Sequence, residues 1–272
     1  MNKNTDKNIG FIGAGKMASA IMKGLISCKL FAVNNIFASE VNTDSAKKVS
    51  EDLGIKVFNN NIDLIKNSDI VVIATKPFIV KDLLKGHVDC FRPEQLIITI
   101  AAGISTEAVE TIINKKNPVI RVMPNTPALL ECGMSAICKG KYASEEDMQT
   151  AMTIFSKIGR AIKCEEKDID AVTGVSGSGP AFYYYIINEI AKAGEKLGLD
   201  YKTALTLSAQ TAMGAAKMVL ETDMTPAELI TAVTTPGGTT AEGNKILNNS
   251  DIAEILHETV FKTAEKSKEM SK

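Results

Sequence analysis

The chain has 272 residues, with 31 Lys and Arg against 32 Asp and Glu, and a formal charge of −1. Hydrophobic residues make up 45% and charged residues 23%, an ordinary globular mix that sets aside disordered, collagen-like and coiled-coil chains. The length favours one or two domains, and the charge balance gives no electrostatic reason to expect nucleic acid or an anionic membrane as a partner.

The start, Met1 to Asn8, is polar and lacks the apolar core of a signal peptide, and no run of ~18 apolar residues follows. The expectation is a soluble, cytoplasmic protein. The five cysteines (Cys28, Cys90, Cys132, Cys138, Cys164) form no CxxC pair, which predicts free thiols. His87 and His257 stand far apart, so a metal site or Ser–His catalysis has little to build on.

The first half alternates short apolar runs with helical patterns. A strand is expected over Ile9–Gly13, then a helix carrying Met17, Ile21, Leu25 and Ile26. A strand at Ile36–Ser39 precedes a helix near Ser45–Leu53 that stops at Gly54. Asp69–Ala74, Leu96–Ala101 and Val119–Met123 are nearly continuous apolar runs, as in parallel strands covered on both faces. The βα order predicts a doubly wound α/β domain. After about Cys164 the pattern is helical. Helices are expected from Ala181 to about Leu197, over Tyr201–Glu221, from a capping box at Thr225-Pro226-Ala227-Glu228, over Ala241–Leu247 and over Asp251–Lys268. The Ala- and Met-rich helical half reads as a satellite domain packed on itself or, the favoured alternative, as an oligomerisation surface.

Gly10-Phe11-Ile12-Gly13-Ala14-Gly15-Lys16-Met17-Ala18 places glycines between a strand and a helix. Such a turn lets the backbone approach a pyrophosphate at the helix start. At the end of the second strand, Glu40 suits a ribose 2′-hydroxyl and hence NADH. Ser39 and Asn42, with Lys47 or Lys48, suit a 2′-phosphate instead, and the choice stays open. Ala74-Thr75-Lys76-Pro77, Ala101-Ala102-Gly103 and Met123-Pro124-Asn125-Thr126-Pro127 close three further strands, with small residues that admit a nicotinamide and an Asn125 amide beside it. Gly174–Pro180 reads as a hinge at the start of the helical half, because no strand precedes it as a nucleophile elbow requires. Thr234-Thr235-Pro236-Gly237-Gly238-Thr239-Thr240 sets hydroxyls and backbone N–H groups before a helix, the make-up of a small anion site. Together they suggest a reductase acting on a small carboxylated substrate.

These segments, in this order over nearly the whole chain, resemble the pyrroline-5-carboxylate reductases. The resemblance rests on Gly10–Met17, Ala74–Pro77, Ala101–Gly103, Arg121–Pro127, Ala171–Pro180 and Val233–Thr240. It implies an α/β Rossmann-type N-terminal domain (residues 1–164) and a C-terminal all-α substrate-binding and dimerisation domain (residues 165–272). It also implies a homodimer, with dimers in many members joined in rings of five, and an active site between the cofactor domain and helices that include the partner's.

Carried over, Gly13, Ala14, Gly15, Lys16 and Met17 would hold the pyrophosphate, with Ser39 and Asn61 on the adenosine side. Ala74, Thr75, Lys76, Pro77 and Ala102 would line the nicotinamide. Thr235, Gly237, Gly238, Thr239 and Thr240 would take the substrate, with Thr240 as the catalytic hydroxyl at the ring nitrogen. The implied cofactor is NADPH, with NADH as the alternative that Glu40 raises. Two other readings compete: a β-hydroxyacid dehydrogenase, whose lysine would be Lys192 or Lys217, and a cofactor-binding sensor without turnover.

Overall fold

The computed structural model describes residues 6–271, so most of the polar start lies outside the described residues. The chain builds β1 (Ile9–Ile12), α1 (Lys16–Ser27), β2 (Ile36–Ser39), α2 (Thr43–Leu53), β3 (Lys56–Phe58), α3 (Asn61–Asn67), β4 (Ile70–Ile73), α4 (Pro77–His87), β5 (Leu96–Thr99), α5 (Thr106–Ile113) and β6 (Val119–Met123). It continues through β7 (Gly133–Lys139), α6 (Glu145–Phe155) and β8 (Gly159–Lys163). The eight strands form one sheet in the order β3-β2-β1-β4-β5-β6-β7-β8. β1 to β6 are mutually parallel, and β7 turns antiparallel to β6 with β8 parallel to β7. The first six strands therefore follow the doubly wound dinucleotide order, whose switch point lies between β1 and β4.

Alternation along each strand sends neighbouring residues to opposite faces. Phe11, Ile36, Val72, Ile98 and Ile120 meet Ile21 and Leu25 of α1 and Phe155 of α6 on one face. Ile12, Val71, Ile73 and Ile97 meet Leu64 of α3, Val80 and Leu84 of α4 and Val109 of α5 on the other. Burial on both faces is why these strands read as unbroken apolar runs.

Half of the α-helices among the described residues begin with a side-chain cap. Asn42 accepts from Ser45 N, Asn60 from Asp63 N and Ser105 from Ala108 N. Ser144 and Asp147 form a capping box at α6. Gly54 ends α2 in the left-handed conformation, as expected of a glycine stop.

The chain divides into two compact units, residues 1–178 with 262–272, and residues 179–261. α7 (Ile169–Val172) and a following π-helical turn (Thr173–Gly177) lie in the first unit. The second unit holds α8 (Gly179–Lys196), α9 (Tyr201–Glu221), α10 (Pro226–Val233), α11 (Thr239–Asn248) and the start of α12 (Ile252–Met270). The rest of α12 lies in the first unit, where Ser267 Oγ donates to Asp170 Oδ1 at 2.7 Å. A side chain on Gly103 would meet Met270 O at 2.8 Å, so the two backbones approach closely.

The glycine-rich segment expected as a hinge is a π-turn closed by Ser178 N donating to Thr173 O at 2.9 Å. Pro180 has no N–H for the Ser176 carbonyl four residues back. The Asn125 amide supplies one instead, donating to Ser176 O at 3.2 Å.

Within the second unit, α8 and α9 pair, with Ser208 Oγ donating to Ile187 O at 2.9 Å and Tyr201 OH to Asn188 Oδ1 at 2.7 Å. Few side chains are buried there; Tyr183, Tyr184, Tyr185, Met213, Val233, Ile246 and Phe261 are each more than half exposed. An apolar surface of this extent marks a face built for association.

Candidate active site

In the first unit, the ends of β1, β2 and β4 meet at the switch point. Gly13 takes a φ of +94°, and a side chain there would press on Ala74 O and Thr75 Cγ2, each at 3.0 Å. Only glycine combines that left-handed turn with so little space. Gly13 N donates to Ser39 O at 3.0 Å and Ala74 N to Ile12 O at 2.9 Å, knitting the three strand ends together. Gly15 is the N-cap of α1, which begins with no side-chain cap and no acidic residue in its first turn. Lys76 likewise starts α4 without a side-chain cap, with Pro77 in its first turn. Lys16 and Met17 open α1. Ala102 is half-buried just beyond β5, beside Gly103.

Thr75 Oγ1 is buried and has no hydrogen-bond partner among the described residues. Leaving a buried hydroxyl unpaired costs roughly 1–3 kcal/mol. An orphaned hydroxyl beside a close-approach glycine and an uncapped, dipole-positive helix start fits a dinucleotide whose polar groups complete those bonds.

Ser39 and Asn61, both expected at the adenosine end, are brought together, with Ser39 Oγ donating to Asn61 Oδ1 at 2.7 Å. Glu40 lies against the glycine-rich turn, its carboxylate accepting from Ala14 N at 3.3 Å. Asn125 differs from its expected part as a nicotinamide neighbour. Its Oδ1 accepts from Met134 N at 2.8 Å and its amide is spent on Ser176, so it joins β6, β7 and the π-turn.

In the second unit, the Thr234–Thr240 segment leads directly into α11. That helix starts at Thr239, two residues before its expected start, so Thr239 and Thr240 lie in its first turn. Gly238 is the N-cap, with no side-chain cap, and its N–H donates to Thr235 O at 2.9 Å. Gly237 turns the chain at φ +70°. Asn244 Nδ2 donates to Thr234 Oγ1 at 2.9 Å, which ties the loop to its own helix. Thr235, Thr239 and Thr240 are exposed. The segment offers hydroxyls and an open helix start, the donor set of a small carboxylate site without a basic side chain. By contrast, α10 is closed by the expected capping box, Thr225 with Glu228.

Sequence reading missed a cluster in the first unit. Arg121 on β6 donates to Glu166 Oε1 at 2.6 Å, and Glu166 Oε2 accepts from Thr106 Oγ1 at 2.7 Å. The one available signal is an arginine inside an otherwise apolar strand. Cys138 lies against the same carboxylate at 3.5 Å, and burial, then the Glu166 charge, pushes its thiol far above the ordinary range. All five cysteines are free. Lys192 and Lys217, the candidate lysines of a hydroxyacid dehydrogenase, pair on exposed helix surfaces with Glu189 at 2.8 Å and Glu221 at 3.7 Å.

A doubly wound sheet with an open, glycine-led helix start at its switch point is a dinucleotide-binding fold, and the match of this part of the chain to an NADP oxidoreductase family makes the protein an oxidoreductase. Residues 8–103 match the family described as NADP oxidoreductase, coenzyme F420-dependent, and residues 166–270 match pyrroline-5-carboxylate reductase dimerisation. The chain is similar to the pyrroline-5-carboxylate reductase of Methanosarcina acetivorans, 42% identical over 98% of this chain and 99% of that protein. Among solved structures, a pyrroline-5-carboxylate reductase from Coxiella burnetii superposes with a TM-score of 0.93 at 32% identity, covering 98% of this chain and 100% of that one. The Plasmodium falciparum pyrroline carboxylate reductase with NADP bound superposes with a TM-score of 0.88 at 29% identity, covering 98% and 99%. The chain belongs to the pyrroline-5-carboxylate reductase family. No helix among the described residues is long and apolar enough to cross a membrane.

Proposed function

We propose that the protein reduces the cyclic imine 1-pyrroline-5-carboxylate to L-proline, using a nicotinamide dinucleotide as reductant. The observation that carries the reading is the near full-length likeness to reductases of that name, which spans both the dinucleotide turn and the Thr234–Thr240 segment. When bound, the reduced nicotinamide supplies a hydride to C5 of the imine.

The chain's own residues bind and orient. Gly13 to Met17 hold the pyrophosphate at the start of α1, with Ser39 and Asn61 on the adenosine side. Ala74, Thr75, Lys76, Pro77 and Ala102 line the nicotinamide half, where Thr75 Oγ1 gains the partner it lacks. The N–H groups of Thr239 and Thr240 at the start of α11, with Thr235 and the glycines, take the substrate carboxylate. Thr240 Oγ1 holds the ring nitrogen. The imine enters protonated, so hydride addition to C5 moves the C=N electron pair onto a nitrogen that already carries its proton. A further proton, relayed from solvent through the Thr240 hydroxyl, gives the ammonium form of the product. A protonated imine is already an electrophile, so the main task is to position it. The protein works as a homodimer built through the helical region.

Mixing the purified protein with the imine and reduced cofactor, and following loss of the reduced nicotinamide absorbance together with proline formation, tests the reading. Stoichiometric consumption and proline are expected. A folded protein that oxidises hydroxy acids and leaves the imine untouched belongs to the hydroxyacid class instead.

A further inference from the structure

The carboxylate at the end of β2 bears on whether the cofactor's adenosine ribose carries a 2′-phosphate. Glu40 Oε2 accepts from Ala14 N at 3.3 Å and Oε1 from Asn42 N at 3.0 Å. The side chain thus bridges the glycine-rich turn and the β2–α2 connection, the position from which an acidic residue takes a ribose 2′-hydroxyl in dinucleotide folds.

Three of the four groups that would favour a 2′-phosphate already hold partners within the chain. Ser39 is 2% exposed and its hydroxyl is spent on Asn61. Asn42 is turned to cap α2, its Oδ1 accepting from Ser45 N at 2.8 Å. Lys47 lines, with Glu40, a hollow of about 290 Å³ and is paired with Glu51 at 3.9 Å. No arginine occurs between Ile36 and Leu53.

We propose that Glu40 reads the adenosine 2′-hydroxyl and makes NADH the preferred reductant, against the NADPH that the family resemblance implies. A 2′-phosphate would bring a second anion onto this carboxylate, and like charges at contact repel. The inference rests on the reading of the first unit as a nicotinamide-dinucleotide site.

Calorimetric titration of the intact protein with NADH, NADPH, 5′-AMP and adenosine 2′,5′-bisphosphate tests it without turnover. NADH is expected to bind about tenfold or more tighter than NADPH, a difference of about 1.4 kcal/mol, and the two fragments to follow the same order. Glu40→Gln keeps the shape and an acceptor but removes the charge, so the ratio should fall to about threefold or less. NADPH binding as tightly as NADH to the unaltered protein, or a ratio unchanged in Glu40→Gln, overturns the inference and leaves the reductase reading standing. A folded protein that binds neither dinucleotide overturns both.

Discussion

Thr240 and Cys138 illustrate opposite fates of small polar side chains. Thr240 stands exposed in the first turn of an uncapped helix. If its hydroxyl holds the ring nitrogen, Thr240→Ala should lower kcat by about 10²-fold, the low end for a lost proton-transfer group. Cofactor affinity should change little, because residue 240 lies outside the dinucleotide unit. Steady-state kinetics with direct cofactor titration checks this, and unchanged kcat removes Thr240 from the chemistry. Cys138 is 1% exposed and its thiol is held neutral by burial and by Glu166. Its folded pKa lies above the unfolded one, so its contribution is fully present below about pH 8.5, the ordinary thiol value. Above that pH the unfolded chain releases the proton while the folded chain keeps it, and stability falls. Denaturation curves at rising pH should therefore show a steeper alkaline loss for the natural chain than for Cys138→Ala; parallel profiles would refute the shift.

The helices separate into those that close their own ends and those that leave them open. α2, α3, α5, α6, α9 and α10 are capped by Asn, Ser, Asp or Thr side chains, whereas α1, α4 and α11 begin at Gly15, Lys76 and Gly238 without one. Those three starts coincide with the motif segments, which is why the sequence made them visible: local chemistry sets both the turn and its openness. α9 and β6 likewise begin and end as their periodicity predicts. β8 was less legible, since Gly159–Lys163 lies at the sheet edge and is mostly exposed, so its residues carry little apolar pattern.

Least legible were pairings between distant residues. Ser39 with Asn61, Asn125 with Ser176 and Arg121 with Glu166 are 22, 51 and 45 positions apart. In each, the partner decides whether the side chain is a ligand or a strut. The Arg121 side chain is 5% exposed and Glu166 is 32% exposed. Glu166→Ala should cost about 3 kcal/mol in chemical denaturation, the low end for stranding a buried charge because one partner still reaches solvent. A cost below about 1 kcal/mol would reduce the pair to an ordinary surface contact.

The second unit buries few of its own side chains, and its apolar helix faces stay open. With no sheet to cover, such faces need another chain to exclude water. Light scattering should give at least twice the chain mass, and Met213→Asp, at a position 61% exposed on α9, should shift the population toward monomer. A monomer at micromolar concentration would contradict the dimer.

α12 leaves the second unit and finishes in the first, where Ser267 meets Asp170 and Met270 covers Gly103. A protein emerging from the ribosome presents its sheet long before that covering segment exists. The nucleotide-facing half must therefore wait, with the surface around Gly103 bare, until synthesis has passed the helical half. Vectorial folding, in which each domain matures as it appears, thus leaves that corner of the first unit unfinished until the last helix is made.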